Sequence, residues 1–451
     1  MKTMSSPTST PSQLALRKSL FWRIHFWAAI IASPFALLAT LTGLLYVFTP
    51  QIEAAMYGKL EQVTPAQTRL SLDQIVAAAQ RFAPADLQLQ NVQPGFQASD
   101  AVKLSFAPRP STDKPSTGEH QHHASAKPAP PSFGPPMQAI NVYVNPYTGE
   151  VLGSIAHADR FSTWAQDLHS KLLQSDNWRW MIELAASWLL VMLLTGVYLW
   201  WPRGQQSGLP QTGATGRNAW KQWHAFLGVL LAGMSLIILT TGITWSKFAG
   251  ENVRFLRDIS NQASPKPPRN LQSNSANEQA ALGWQAIWDT AKTRSPAVAL
   301  QLAPPQQAQG VWRVSLADRS QPQQRFDLIL DAYSGQTLYY AGWDKQTAFG
   351  KATAIGIPFH RGEFGWWNQA LLLVFGLGVL FSLISGWVMF FKRRKTGSSL
   401  MPRLLPGAWR SSPGLWLSAV LLWALLPLLA ISSVVVIALE ATLLRQKPSP
   451  T

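Results

Sequence analysis

No cysteine occurs in the 451 residues, which excludes disulfides, thiolate-held metals, iron–sulfur clusters and thioether-attached c-type haem. Charge is scarce as well. Asp, Glu, Lys and Arg make up 13% of the chain, against roughly 25% in an ordinary soluble protein. Acidic groups are the rarer sign, 22 against 38 basic, for a formal net charge of +16. The sequence also shows no P-loop, no Gly-rich dinucleotide turn after a strand and no nucleophile with a base partner. By its motifs, the chain has no flavin or nicotinamide site of its own.

Long apolar runs are abundant. Five stretches, 26–48, 182–201, 225–245, 367–391 and 415–439, reach the roughly 20 residues needed to cross a hydrocarbon core of about 30 Å. The expectation is an α-helical membrane protein with five transmembrane helices at 26–48, 177–201, 224–246, 366–391 and 413–440. Basic residues sort the connecting segments. Residues 1–25, 202–223 and 392–412 carry four, three and six Lys or Arg and no Asp or Glu. By the positive-inside rule these segments are cytoplasmic. Segments 49–176 and 247–365, and a tail at 441–451, then lie outside, in the periplasm if the membrane is a bacterial inner membrane. Because the outer segments are near charge balance, the net charge does not argue for nucleic acid as a partner; membrane lipid is the expected surroundings. The first apolar run is too long for a signal-peptide core and lacks a clear cleavage site, so it reads as a retained anchor.

The chain repeats itself. "HFWAAIIASPFALLATLTGLLYVF", opened by His25 and carrying Thr42-Gly43, returns 199 residues later with His224 and Thr241-Gly242. "VYVNPYTGEVLG" (142–153) resembles "LILDAYSGQTLYY" (328–340), each a strand, a turn with the Gly that positive φ requires, and a second strand. A histidine follows each hairpin, His169 in "DLHSKLL" and His360 in "PFHRGEF", and then an apolar run containing Thr195-Gly196 or Ser385-Gly386. The unit is helix, outer domain, histidine, helix, present twice in the same orientation, with a fifth helix outside it. Each outer domain is expected to be a small α+β module. Helical periodicity at 70–82 and 281–293 precedes strand-like "AVKLSF" and "GVWRVSL". The Pro-, Ser-, Lys- and His-rich stretch 108–136 reads as a disordered insertion, and its "EHQHH" (119–123) as an incidental tract.

Four of the eight histidines are expected at helix ends, His25 and His224 on the inner side, His169 and His360 on the outer. Two layers of two imidazoles suit two b-type haems, each clasped by axial ligands from facing helices. The plainer reading is interfacial histidines beside Trp22, Trp27, Trp178 and Trp223. Met181 and Met234 stay open as alternative ligands. Arg23, Lys171, Lys221 and Arg361 lie within three residues of a histidine, where they can meet haem propionates or simply lipid headgroups. Glycines 43, 196, 242 and 386 read as close-packing positions, and Glu183 as a local ion pair with Arg179. Trp164, Arg160, Arg361, Trp366 and Trp367 near the outer mouth suit either an anionic ligand or an interfacial belt.

The two hairpins resemble the end of the PepSY domain. The histidine-bearing helices with "TG" and the "LH" and "FHRGEFG" stretches resemble the PepSY-associated transmembrane family of bacterial inner-membrane proteins, over about residues 15–395. That resemblance implies a part in iron uptake, with His25, His169, His224 and His360 as axial ligands of haem. It also implies reduction of a ferric siderophore or other iron chelate at the periplasmic face by electrons from a quinol or a cytoplasmic reductase. The competing expectation is a membrane-anchored PepSY binding or regulatory protein without enzymatic activity. The first copy departs from the family pattern in its insertion, the second in Asp331-Ala332 at the turn, and neither departure touches the histidines.

Overall fold

A computed structural model describes residues 12–108, 138–202, 208–274, 280–295, 297–394 and 401–445. All of the proposed insertion except Pro108, the "EHQHH" tract included, lies outside them, as do the last residues of the tail.

The first half contains helices α1 (Gln13–Val47), α2 (Thr49–Glu61) and α3 (Leu72–Phe82), then strands β1 (Leu87–Gln93), β2 (Val102–Pro108), β3 (Ile140–Val144) and β4 (Val151–Ala156), then α4 (Phe161–Lys171) and α5 (Trp180–Trp200). The second contains α6 (Gly216–Leu230), α7 (Ala232–Ile243), α8 (Ala249–Ile259) and α9 (Trp284–Arg294), followed by strands β5 (Leu300–Ala303), β6 (Val311–Leu316), β7 (Asp327–Asp331) and β8 (Thr337–Ala341). Helices α10 (Ala348–Arg361), α11 (Trp366–Arg394), α12 (Pro413–Leu425) and α13 (Pro427–Arg445) complete the chain. These elements form two compact units, one of Met1–Val47, Gln166–Ala263 and Gly356–Thr451, the other of Phe48–Ala165 and Ser264–Ile355.

In the first unit three helices are long and apolar enough to cross a membrane: α1, α5 with the short turn before it, and α11. The pair α6 and α7 makes a fourth if counted as one span, but it bends by 58°. Of the five expected spans the structure thus supports three or four, and it breaks the helix at two places. At the first, the chain breaks at Leu231 between Gly228 and Gly233, residues that pay heavily to stay helical and commonly mark kinks. At the second, Pro427 lacks the amide a continuous helix would need and drives Leu426 out of the helical region, to φ −119° and ψ 83°. Thus 413–440 is two short helices. They also turn back. Arg23, a third of the way along α1, donates to the carbonyl of Pro402 before α12 and to both carboxylate oxygens of Glu440 near the end of α13, at 2.6 and 2.8 Å. The segment before α12 and the end of α13 thus meet at one arginine.

Glu183 is corrected as well. It is fully buried and does not pair with Arg179, which donates instead to the Trp245 carbonyl. Its carboxylate accepts the backbone amides of Phe248 and Ala249 at 2.8 and 2.9 Å, and so caps α8, where a helix start favours negative charge.

The second unit holds one eight-stranded antiparallel sheet, ordered β4-β3-β2-β1-β5-β6-β7-β8. Two separate α+β modules were expected, but the two copies share a single sheet through the β1–β5 pair, with Val92 opposite Leu302 and both residues fully buried. Helices α3 and α9 cover it. Leu72, Ile75, Val76 and Ala79 pack on one half, Ile287 and Ala291 on the other, and Trp284 and Trp288 belong to both clusters. The helices also exchange caps: Asp73 accepts the amides of Trp284 and Gln285, while Gln285 accepts that of Leu72. The hairpin turns match the sequence expectation, with Gly149 at φ 72° and Gly335 at φ 69°.

Arg160, a candidate for ligand contact, is occupied within this unit. It is 8% exposed and binds Glu53, Glu61 and the Tyr143 hydroxyl. Burial opposes ionisation of Glu53, yet hydrogen bonds from Arg160 and Ser162 and the guanidinium charge outweigh it and hold the carboxyl below its usual value. A depressed carboxyl contributes stability in full above its unfolded value of 4.5 and loses it as pH falls through the folded one. Glu53→Gln is therefore expected to lower stability at pH 7 by about 1–3 kcal/mol and to flatten the acid side of a thermal unfolding profile of the full chain in detergent. An unchanged profile would contradict this account.

Candidate functional site: two facing pairs of histidines

All four helix histidines fall in the first unit, though not at the expected helix ends. His25 lies inside α1 and His224 inside α6, each more than two turns from the helix start. His169 and His360 do not open α5 and α11. They end the separate helices α4 and α10, and each is followed by a left-handed turn, at Leu172 and Leu173 (φ 52° and 59°) and at Gly362 (φ 75°). In the first copy leucines hold a conformation that glycine holds in the second, a local strain beside the histidine.

The rings come together in two pairs. His25 and His224 have ring centres 6.5 Å apart with planes at 84°, and His169 and His360 are also 6.5 Å apart, at 78°. Two metal–imidazole bonds of about 2 Å end to end, plus about 1.2 Å from each nitrogen to its ring centre, give about 6.4 Å. A perpendicular aromatic contact falls in the same range. What distinguishes these pairs is their anchoring. Nδ1 of His25 lies 3.0 Å from the Met192 carbonyl and 3.1 Å from Thr195 Oγ1, and that of His224 lies 3.0 Å from the Ser382 carbonyl and 2.9 Å from Ser385 Oγ. Nδ1 of His169 meets Thr42 Oγ1 at 3.0 Å, and that of His360 meets Thr241 Oγ1 at 2.8 Å. Among the described residues, Nε2 of each ring has no hydrogen-bonding partner. Nor do they contain a cluster of three or more His, Cys, Asp or Glu fit for a metal. A protein-built tetrahedral zinc site is thus unsupported here, whereas a macrocycle that brings its own equatorial nitrogens needs only two axial imidazoles.

The glycines that read as packing positions have a particular neighbour. A Cβ on Gly196 would meet His25 Cε1 at 3.2 Å, and one on Gly43 would meet His169 Cε1 at 3.3 Å. On Gly242 and Gly386 the corresponding distances to His360 and His224 are 3.8 and 3.7 Å. Each Thr-Gly or Ser-Gly dipeptide therefore seats one imidazole from another helix, the hydroxyl at Nδ1 and the bare glycine under Cε1. Sequence reasoning found the dipeptides but not their partners. The equal spacing of histidine and dipeptide, 17 residues in both α1 and α6–α7, was the available signal.

The basic neighbours are mostly engaged. Arg23 is buried against Glu440, with Trp27 donating to the same carboxylate. Lys171 sits 3.2 Å from both Asp167 and Asp176, and the two aspartates outweigh its partial burial and raise its pKa. Arg361 pairs with Glu363 at 2.9 Å and lies over the Tyr46 ring. Lys221 is exposed. A small, largely apolar cleft adjoins His169, lined in part by Phe35, Leu38, Ala39 and Met181. Trp164, Trp366 and Trp367 are exposed.

The model of the PepSY-associated TM region matches residues 22–393. The chain belongs to that family. The match takes in all four histidines and all four hydroxyl–glycine dipeptides of this PepSY-associated membrane protein, and it ends before the α12–α13 hairpin. No curated protein matches the chain.

The unequal glycine clearances make a prediction. Gly43→Ala and Gly196→Ala should displace their histidines and lower the stability of the full chain in detergent by about 1–3 kcal/mol, read by thermal unfolding, while Gly242→Ala and Gly386→Ala, in ordinary contact, should leave it near wild type. Equal losses at all four positions would contradict this.

Proposed function

We propose that this PepSY-associated protein is a haem-containing oxidoreductase of the bacterial inner membrane that carries electrons across the bilayer to reduce ferric iron, held by a siderophore or another chelate, on the periplasmic side. The observation that carries the reading is the duplicated imidazole pair, at a separation suited to one shared iron and with each Nε2 left over. Two b-type haems fit these residues, His25 with His224 and His169 with His360. When bound, such a group supplies one-electron transfer without a general acid or base. The chain's part is to hold four imidazoles in place, exclude water and set the polarity around them. Along α1, 17 residues separate His25 from Thr42, the seat of His169, or about 25 Å of helix at 1.5 Å per residue. That is most of a hydrocarbon thickness, so the two sites suit opposite faces of the membrane. The basic loops support a cytoplasmic side for the His25 pair, where a quinol or a reductase would deliver electrons. Of the basic groups beside the histidines, Arg23, Lys171 and Arg361 already pair with carboxylates of the chain, and exposed Lys221 is the one that suits carboxylate recognition.

The absorption spectrum of the purified full chain from haem-replete cells tests the reading. A reducible b-type spectrum is expected, with His169→Ala and His224→Ala each removing about half of the haem, and the reduced protein should be reoxidised by a ferric chelate. Colourless protein would overturn it and leave the binding or regulatory reading of the PepSY modules.

A further inference from the structure

The direction of the hydrogen bonds at the four seats follows from what each hydroxyl already does. Thr42 Oγ1 lies 2.8 Å from the Leu38 carbonyl and Thr195 Oγ1 2.7 Å from that of Val191. Thr241 Oγ1 lies 2.9 Å from the Ile237 carbonyl and Ser385 Oγ 2.9 Å from that of Ser382. A hydroxyl has one proton, and inside an apolar helix it is given back to the preceding turn. Toward the histidine it can then only accept, so Nδ1 must be the protonated nitrogen. Two seats confirm the sign independently. At His25 and His224 a backbone carbonyl, which never donates, lies 3.0 Å from Nδ1.

We propose that Thr42, Thr195, Thr241 and Ser385 are positioning residues that hold the four histidines in the Nδ1–H tautomer and so present a basic, unprotonated Nε2 at each site. The seats are not equivalent. His25 and His224 keep a carbonyl partner if the hydroxyl is lost, whereas for His360 the Thr241 hydroxyl is the one hydrogen-bonding partner among the described residues. Thr241 is therefore the position on which its tautomer depends most. The tautomer stands on the protein alone. Its consequence for redox potential rests on the haem reading: donation from Nδ1–H makes the imidazole a stronger ligand and favours the ferric state.

Solid-state NMR of full-length, histidine-labelled protein from haem-depleted cells, in lipid vesicles, tests the proposal without any cofactor. Wild-type signals of His25, His169, His224 and His360 are expected in the Nδ1–H form, which is the minor one in water. Thr241→Val should release His360 alone to a mixture of forms, and Thr241→Ser should restore it. In haem-loaded protein, Thr241→Val should raise the midpoint potential of the site containing His360, while Thr195→Val, with Met192 still in place, should move its site less. Nε2–H tautomers in the wild type, or a Thr241→Val spectrum identical to wild type, would overturn the proposal. Should the chain prove colourless, the NMR result still decides the tautomer, so the two readings fail separately.

Discussion

The membrane unit depends on a grip between helices: an imidazole from one segment held at Nδ1 by a hydroxyl, and admitted at Cε1 by a glycine, on another. The grip runs in both directions. Helix α1 contributes His25 to the seat on α5 and provides the seat for His169, while α6 contributes His224 to α11 and α7 seats His360. In lipid, where apolar contact gives helices little reason to prefer one neighbour, such polar bonds and small residues carry much of the specificity of association. The structure thus couples helix pairing to histidine orientation, and a change that loosens one loosens the other.

Duplication explains most of the architecture, and its lapses are informative. Arg160 closes a 3₁₀ turn in the first copy and Gln346 closes the matching turn in the second. Arg160 is surrounded by Glu53, Glu61 and Tyr143, whereas Gln346, equally buried, has no hydrogen-bonding partner for its side chain among the described residues. The second copy has lost the charge but kept the burial, and with it a desolvation cost of about 1–3 kcal/mol. A second lapse lies in the first crossing of each copy, straight enough in α1 to form one helix and broken at Leu231 in the other. The histidine and its companion dipeptide survive both lapses, which separates what the repeat must keep from what it can vary.

Much of this was legible in the sequence because period and offset are strong signals. The apolar runs placed α1, α5 and α11, the hairpins placed β3–β4 and β7–β8, and offsets of 199 residues (His25 to His224), 191 (His169 to His360) and 190 (Gly196 to Gly386) picked out the histidines and dipeptides. What was not legible depended on partners distant in the chain. Nothing local in "LRKSLFWR" indicates that Arg23 waits for Glu440, 417 residues on. A run of apolar residues conceals a break when one proline is its only interruption, as at Pro427. Two repeats of four strands read alike whether their sheets stay apart or merge, because the β1–β5 joint buries Val92 and Leu302 in strands that would be apolar in either case.

The 17-residue interval turns α1 into a ruler with a mark at each end. Inserting a single residue between His25 and Thr42 would rotate one mark about 100° relative to the other and shift it about 1.5 Å. One imidazole would keep its seat and the other would face an empty one. Length within this helix is therefore far less free than in the loops around it. That the copy in α6–α7 keeps the same count despite its bend suggests that register, rather than straightness, is what has been preserved.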